Sequence, residues 1–246
     1  MEHKMGLQEK YFNDMKYGTK RIEMRIYDEK RKQMNENDTI FFLKEPDRKK
    51  KICTKIVKLT LYKDFEEAIH HIPIEYLASE SDSIETYLED LNKYYSKEEQ
   101  EKYGVVAIEI EVQEKSCGMV VFKREDNQDY VLLVHHNLGH WGLPKGHVED
   151  NETEVETALR ETLEETGVKV RKIGNFRKAI TYKPKENAMK DVIFFIGEPD
   201  NNELIPQLSE VQEAVFVEES EAINLISHDD EKKLLMDAIH YYKNEM

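Results

Sequence analysis

The sequence is poor in the residues that hold small secreted domains together and bind soft metals. Of 246 residues only two are cysteine, Cys53 and Cys117, and their wide separation argues against a disulfide scaffold or a cysteine metal site. Long apolar runs are lacking as well, which argues against a membrane-spanning helix or a secretory signal. We therefore expect a soluble cytoplasmic protein with no membrane partner.

Basic residues are scarce outside the N-terminal quarter. The formal net charge is −15, which disfavours broad, nonspecific binding to nucleic acid. Residues 1–63 contain 17 Lys and Arg against 10 Asp and Glu, whereas residues 64–246 contain 19 against 41. An anionic partner other than an active-site substrate is therefore expected to bind the N-terminal region, where the run Lys49-Lys50-Lys51 is the candidate contact for RNA.

One stretch, WGLPKGHVEDNETEVETALRETLEETGV at residues 141–168, combines a glycine-containing loop with a short amphipathic helix. Asn151 is predicted to cap this helix, with Glu154 completing a capping box, and Gly167 to end it. Apolar residues and threonines share one face, namely Val155, Leu159, Thr162, Leu163 and Thr166. Three glutamates share the other face at i, i+3 and i+4, namely Glu161, Glu164 and Glu165.

Three like charges on one helix face favour a bound cation. Their repulsion costs the helix about 0.2–0.5 kcal/mol per pair, and oxygen ligands without cysteine select Mg²⁺, or alternatively Mn²⁺, over Zn²⁺. The alternative is a solvated acidic surface, which is the usual environment of any single glutamate. Arg160 is expected to point away from the three carboxylates and to pair with Glu152 or brace the loop.

The pattern G-x5-E-x7-R-E-T-x-E-E-x-G-V, which begins at Gly146, resembles the Nudix box of the Nudix hydrolases. Thr162 departs from the family, which usually has an aliphatic residue there. The resemblance implies a loop–helix–loop that binds divalent metal against a pyrophosphate, within an α/β/α sandwich with a mixed sheet. Its implied metal ligands are a backbone carbonyl near Lys145–Gly146 and the carboxylates of Glu161, Glu164 and Glu165. The candidate catalytic residues are Arg160, Glu161, Glu164 and Glu210, and the general base stays open between Glu164 and Glu210.

The residues around the box resemble the diadenosine tetraphosphate hydrolase group of Nudix enzymes. The resemblance is carried by W-x-x-P-K-G-H before the box and by ITYKPKENAMKDVIFF and LSEVQEAVFV after it. In that group a tyrosine after the box stacks on an adenine and lysines hold the polyphosphate. The resemblance gives these roles to Tyr182 and to Lys145 and Lys190. Trp141 is a candidate for base stacking or, equally, for burial under the loop.

The N-terminal half resembles the ASCH domain, a PUA-like β-barrel associated with RNA. The resemblance is carried by F-x5-G-T-K-R-I-E-M-R at residues 12–25, by N-D-T-I-F-F, and by Y-Y-S-K-E-E-Q-E-K-Y-G-V-V-A-I-E. It implies a cleft for a nucleotide or an RNA end, lined by Gly18, Lys20, Glu23 and Arg25. Some relatives hydrolyse acetylated cytidine with a Lys and a Thr near this motif, and Glu23 in place of the Thr argues against that activity. Alternatively, Glu23 and Arg25 form a structural ion pair on one strand face.

These patterns predict an α+β protein of two domains, an ASCH domain over residues 1–112 and a Nudix domain over residues 113–246. Helical spacing of Leu7, Tyr11 and Phe12 predicts an amphipathic helix at the start of the first domain. After the Nudix helix, separate strands are predicted over residues 168–171 and 175–182, followed by an exposed turn over 183–187.

The leading hypothesis is a Mg²⁺-dependent pyrophosphohydrolase of dinucleoside polyphosphates that cleaves diadenosine tetraphosphate to ATP and AMP. One alternative is the removal of caps or pyrophosphate from RNA 5′ ends, with the N-terminal domain positioning the RNA. Another is an RNA-binding regulator whose Nudix domain senses a nucleotide, against which the complete carboxylate set argues. An amidohydrolase activity of the N-terminal domain is a weaker third alternative. The sequence points to no particular protein partner.

Overall fold

A computed structural model describes residues 1–77, 83–149, 151–201 and 203–245. In it the chain forms two units. The first comprises residues 1–114 and 183–189, and the second comprises residues 115–182 and 190 onward. The predicted two-domain α+β class is confirmed, whereas the boundary after residue 112 stays a prediction.

The first unit contains a mixed sheet and four helices. Its strands are β1 (Glu2–Leu7), β2 (Ile22–Ile26), β3 (Thr39–Lys44), β4 (Lys51–Tyr62) and the first part of β5 (Val105–Glu125). Its helices are α1 (Glu9–Tyr17), α2 (Phe65–His71), α3 (Ile84–Tyr94) and α4 (Lys97–Tyr103), with 3-10 turns at Arg31–Gln33 and Ile74–Tyr76. β1 runs parallel to β3, and the pairs β3–β4, β4–β5 and β5–β2 are antiparallel. Along these described strands the sheet is open rather than closed into a barrel.

The first element of the chain is a strand, and the helix that was predicted to include Leu7 begins after it. Leu7 ends β1, and α1 begins at Glu9. His3, Met5 and Leu7 are buried at a spacing of two, which is the strand period, and β1 pairs along its whole length with β3. Phe12 and Met15 are the buried residues of α1. The period-two pattern of β1 therefore outweighs the helical spacing from Leu7 to Phe12.

Two apolar clusters stabilise the first unit. One lies around Phe42, Ile56 and Ile108 and the other around Met24, Phe65 and Leu77. Burying side chains of this size contributes about 1.5–3 kcal/mol each. Ala188, from the second segment of this unit, belongs to the first cluster.

The second unit also combines a sheet with helices. Its strands are the rest of β5, β6 (Gln128–His136), β7 (Trp141–Gly142), β8 (Lys145–His147), β9 (Val170–Lys185), β10 (Ala188–Pro199) and β11 (Val211–Glu218). Its helices are α5 (Glu154–Thr166), α6 (Glu219–Leu225) and α7 (Asp229–Glu245). β6 pairs with β5, β7 and β11, and β8 pairs with β5. One core cluster lies around Phe122, Phe194 and Leu235, and another around Met119, Leu132 and Ala158.

The β9–β10 hairpin differs from its prediction in two ways. The two strands expected after the Nudix helix form the single strand β9, in which Gly174 takes a φ of 57°; this local irregularity interrupts the alternation in sequence. The expected turn over 183–187 is exposed at Lys183, Pro184 and Glu186, as predicted, but it belongs to the first unit and its last residue, Asn187, is buried. In that unit Arg21 pairs with Glu186 at 2.5 Å and Lys183 pairs with Glu111 at 3.1 Å.

Every helix in the described ranges is too short or too polar to cross a bilayer.

Candidate active site

Helix α5 starts two residues later than its sequence predicts. Thr153 is the N-cap, and Thr153 and Glu156 form the reciprocal capping box, whereas Asn151 adopts a φ of 72° and lies before the helix. Both Asn151 and Thr153 are good caps in sequence, but a capping residue needs an extended backbone, which Thr153 has and Asn151 does not. Gly167 ends the helix in a left-handed conformation with φ 76°, as predicted.

The acidic face of α5 is partly buried, contrary to the predicted division of the helix. Glu161 and Glu165 are only 9% and 3% exposed, whereas Leu163, which was assigned to the apolar face, is 46% exposed. The side chain of Glu164 is half exposed. Periodicity gives the angle between residues but not which side meets the protein. Here the helix turns Glu161 and Glu165 inward, towards the loop that contains Gly146 and Lys145.

That loop approaches the two buried carboxylates closely. A Cβ on Gly146 would lie 2.0 Å from Oε2 of Glu161, so a side chain at this position would have to displace the carboxylate. The backbone N–H of Lys145 donates to Oε2 of Glu165 at 2.9 Å. Strand β8 fixes the loop, because Lys145 and Gly146 pair with Gly118 and Cys117 of β5. The backbone of this loop and the carboxylates of Glu161 and Glu165 therefore line one site.

Arg160 lies among the carboxylates rather than pointing away from them, which corrects the prediction for its direction. Its guanidinium pairs with Glu152 at 2.6 Å, as predicted, but its Nη1 also contacts Glu161 at 2.7 Å and Glu164 at 3.0 Å. Nη2 donates to the carbonyl of His147 at 3.0 Å. A long, five-donor side chain can reach back over one helical turn. Arg160 therefore connects the loop with three glutamates.

Burial and Arg160 set the protonation of these acids. Burial raises the pKa of Glu165 to about 8, although the Lys145 N–H and the charge of Lys145 act in the opposite direction. Burial also raises the pKa of Glu161, against the effect of Arg160. Hydrogen bonds from Arg160 lower the pKa of Glu152 to about 2. Arg160 thus favours the charged form of Glu152, whereas burial favours the neutral form of Glu165.

To bind a divalent metal, the side chains of Arg160 and the glutamates would have to rearrange. In the part of the chain that the structure describes, no three histidine, cysteine or acidic side chains already surround one ion position. Arg160 occupies that place, because its Nη1 lies within 3.0 Å of oxygens of both Glu161 and Glu164. The donors fit a hard cation nonetheless: they are carboxylate oxygens, and Gly146 leaves its backbone open towards Glu161.

The carboxylates open into a cavity of about 680 Å³ within the second unit. It is large enough for a nucleotide. Nine of the predicted residues line it, namely Lys145, Gly146, Arg160, Glu161, Glu164, Glu165, Tyr182, Lys190 and Glu210. His147, from the loop, lines it as well. The two candidates for general base, Glu164 and Glu210, thus share one cavity.

Trp141 is placed differently from the other predicted contacts. It packs against the core around Phe122, and its ring stacks on His135 with centroids 4.6 Å apart. It is not among the residues that line the cavity. This placement favours burial under the loop over base stacking.

Sequence reasoning overlooked one end of the cavity. That end is formed by His136, His140 and His228 together with Asp229, Asp230 and Glu231. Burial and the charge of Lys145 lower the pKa of His136 to about 3, and they also lower the pKa of His140. The signal in the sequence for His140 is its position directly before Trp141. Glu231 lies three and four residues before Leu234 and Leu235, so an acid on the apolar stripe of α7 was the available signal.

The first unit has a cavity of its own, of about 420 Å³. Lys20, Glu23 and Arg25 line it, whereas Gly18 does not and instead lies beside Lys185. Glu23 pairs with Lys20 at 3.0 Å and with Arg25 at 2.7 Å. The remaining lining includes four tyrosines, Tyr11, Tyr87, Tyr94 and Tyr95.

Comparison with known proteins assigns both halves of the chain. A model of the NUDIX domain matches residues 114–239, and a model of the ASCH domain matches residues 5–114. The asymmetrical bis(5′-nucleosyl)-tetraphosphatase of Sus scrofa is 34% identical over 135 residues, which cover 50% of this chain and 91% of that protein. The protein of the same description from Mus musculus is 34% identical over 111 residues, covering 41% of this chain and 75% of that protein. A crystal structure of a C. elegans Ap4A hydrolase binary complex is 23% identical, with a TM-score of 0.49, and covers 53% of this chain and 98% of that chain.

Proposed function

The chain belongs to the Nudix family as a hydrolase of phosphoric anhydrides with an N-terminal ASCH domain, and we propose that its substrate is a dinucleoside polyphosphate, diadenosine tetraphosphate. The observation that carries this proposal is one cavity that brings the Nudix carboxylates together with Lys145, Tyr182 and Lys190. Relatives described as bis(5′-nucleosyl)-tetraphosphatases at 34% identity support the choice of substrate. The products would be ATP and AMP.

Nudix hydrolases typically use divalent metal, and we propose Mg²⁺ here, with Mn²⁺ as a substitute. Glu161, Glu164 and Glu165 would hold it, together with a backbone carbonyl near Lys145–Gly146. When bound, the metal would neutralise charge on the phosphoryl oxygens and lower the pKa of a bound water. Arg160 would remain paired with Glu152 and release its contacts to Glu161 and Glu164.

The side chains of the cavity supply the rest of the reaction. Water attacks one phosphorus, the bridging P–O bond breaks, and the proton of the water passes to a carboxylate. Glu164 and Glu210 are the two candidates for this base, since both line the cavity. Lys145 and Lys190 would bind phosphate oxygens, and Tyr182, which is 38% exposed, offers a face on which adenine can stack.

The test is a Mg²⁺-dependent assay of the purified protein on diadenosine tetraphosphate, with products separated by ion exchange. Equal amounts of ATP and AMP, lost in Glu164→Gln and Glu165→Gln, would support the proposal. If both variants kept full turnover, the assignment of the metal ligands would be wrong. If the folded, metal-binding protein left this substrate intact, capped or triphosphorylated RNA would replace it as the proposed substrate.

A second proposed function belongs to the first unit, namely binding of a nucleotide or RNA end. The supporting observation is its cavity, where the exposed Tyr94 offers a face on which a base can stack and where the buried group of Lys20, Glu23 and Arg25 also lies. The exposed run Lys49-Lys50-Lys51 offers nearby positive charge on this unit. Reversing these three charges should weaken RNA binding and flatten its salt dependence; unchanged affinity would show that the run is merely solvated.

Both cysteines are free thiols, which supports the proposed cytoplasmic location.

A further inference from the structure

Glu231 is a buried acid in the first turn of α7 that contacts the loop of the active site twice. Its Oε1 pairs with Nζ of Lys145 at 3.1 Å, and its Oε2 accepts from the backbone N–H of Leu143 at 3.2 Å. Its side chain is only 4% exposed and that of Lys145 is 13% exposed. The N-terminal turn of a helix also favours negative charge. The carboxylate is therefore held in one place by the helix, by the loop and by Lys145.

The loop does not depend on Glu231 alone for its position. The N–H of Trp141 donates to Oγ of Ser227 at 2.9 Å, and the N–H of Ser227 donates to the carbonyl of Trp141 at 3.0 Å. Strand β8 adds its pairing with β5. Glu231 adds to these contacts a charge partner for the ammonium of Lys145.

Lys145 is close to the proposed metal ligands as well as to Glu231. Its own N–H holds Glu165 at 2.9 Å, and its ammonium lines the same cavity as Glu161 and Glu165. The ammonium of Lys145 is carried by a flexible four-carbon side chain, so after the loss of one carboxylate partner it can move to pair with another. Glu161 and Glu165 are among the carboxylates of that cavity, and Glu165 already contacts the backbone of Lys145.

We infer that Glu231 is a positioning residue, which holds the Lys145 ammonium off Glu161 and Glu165 and leaves their oxygens to the divalent cation. This inference rests on the proposed function, since it assumes that these two carboxylates bind metal. It also gives Lys145 a fixed direction, from which the ammonium can contact a phosphate of the polyphosphate chain. The role is separate from the chemistry, because Glu231 acts through its contacts with the Lys145 ammonium and the Leu143 N–H.

The test measures metal binding without substrate, using Mn²⁺ followed by electron paramagnetic resonance on the full chain. In Glu231→Gln, the Mn²⁺ dissociation constant should rise about tenfold or more, because a unit charge that moves next to the site opposes the cation strongly. Glutamine keeps the size of the side chain and an acceptor for Leu143. Raising the Mg²⁺ concentration should restore turnover in this variant.

In a variant without the Lys145 ammonium, Mn²⁺ affinity should depend little on Glu231. In the Lys145→Met background the further change Glu231→Gln should alter the Mn²⁺ dissociation constant much less than the about tenfold expected for Glu231→Gln alone, and the double variant leaves neither partner of the buried pair unpaired. A loss of affinity as large in that background as in the unaltered protein would overturn the inference, as would an unchanged affinity in a folded Glu231→Gln. Glu165→Gln serves as the reference: if it bound Mn²⁺ normally, the metal site itself, and with it this inference, would be wrong.

Discussion

The carboxylate of Glu161 occupies the space that a side chain at position 146 would need. A Cβ on Gly146 would lie 2.0 Å from Oε2 of Glu161 and 2.3 Å from its Oε1. Gly146 has no positive φ that would explain the glycine by backbone conformation. The requirement for glycine is therefore the close approach of the loop to a proposed metal ligand.

Gly146→Ala should accordingly damage the metal site more than the fold. The methyl group must push Glu161 or the loop away, and a displacement of about 1 Å in such a site can cost about 100-fold in rate. We expect kcat to fall by that order, with a weaker affinity for Mn²⁺, while the circular dichroism spectrum is kept. Gly139→Ala is the control, because a Cβ there meets nothing within 4 Å and its φ of 86° makes only the backbone unfavourable. Equal losses of metal affinity in the two variants would contradict this explanation.

Arg160→Gln should reduce both activity and stability. The change removes charge-assisted contacts to three glutamates, and such hydrogen bonds contribute about 1.5–3 kcal/mol each when they are shielded from water. A loss of about 1.4–2.7 kcal/mol corresponds to a fall in kcat of about 10- to 100-fold. The same loss of folding free energy should lower the melting temperature by several degrees. Enzyme assay and thermal unfolding would measure the two effects.

Arg177→Gln is the matched control for Arg160. Arg177 also makes a two-pronged pair with a glutamate of α5, Glu154, at 2.8 and 2.9 Å, but its side chain is 52% exposed. An exposed pair contributes about 0–1 kcal/mol, so this variant should keep nearly normal activity. Similar activity in the two variants would mean that Arg160 has no special part in arranging the carboxylates.

The sequence predicted the local elements of the site better than their environment. Spacing placed Glu161, Glu164 and Glu165 on one helix and ended it at Gly167, because both depend on residues close in sequence. It did not show that Glu161 and Glu165 are buried, since this depends on how the helix packs against β8. For the same reason it gave Arg160 the wrong direction. It also predicted Asn151 instead of Thr153 as the cap, because both are good capping residues and the sequence does not show which of them has an extended backbone.

The sequence brought Tyr182, Lys190 and Glu210 into one site with the carboxylates only through the family resemblance, and it did not predict ion pairs between distant residues. Glu231 meets Lys145 across 86 residues of chain, and no pattern in either segment points to the other. The turn predicted at the tip of the β9–β10 hairpin is exposed at Lys183, Pro184 and Glu186, but the sequence did not predict the contacts of Lys185 and Glu186. Their partners, Lys16 and Arg21, are known only from the fold.

The stability of the metal-free protein should depend on pH through Glu165. An unperturbed glutamate has a pKa of 4.5, whereas burial raises the pKa of Glu165 to about 8. Between these values the folded protein holds a proton that the unfolded chain has lost, so the free energy of unfolding must decrease as the pH rises through this window. Thermal unfolding in a chelator at about pH 6 and about pH 8.5 measures this slope. Glu165→Gln lacks the titrating group and should show a smaller decrease; an identical slope would exclude Glu165 as its source.

Glu23→Gln should strongly destabilise the first unit, because it leaves buried positive charge without its partner. Lys20 is 1% exposed, and both Lys20 and Arg25 pair with the carboxylate of Glu23, at 3.0 and 2.7 Å. Breaking a buried ion pair by removing one partner costs about 3–5 kcal/mol. Chemical denaturation would measure the loss, with Glu29→Gln as control, since Glu29 pairs with Lys32 at 2.6 Å but is 80% exposed. A stability change in Glu23→Gln as small as in the control would show that water enters the cavity and solvates Lys20 and Arg25, and would favour a ligand-binding role for these residues over a structural one.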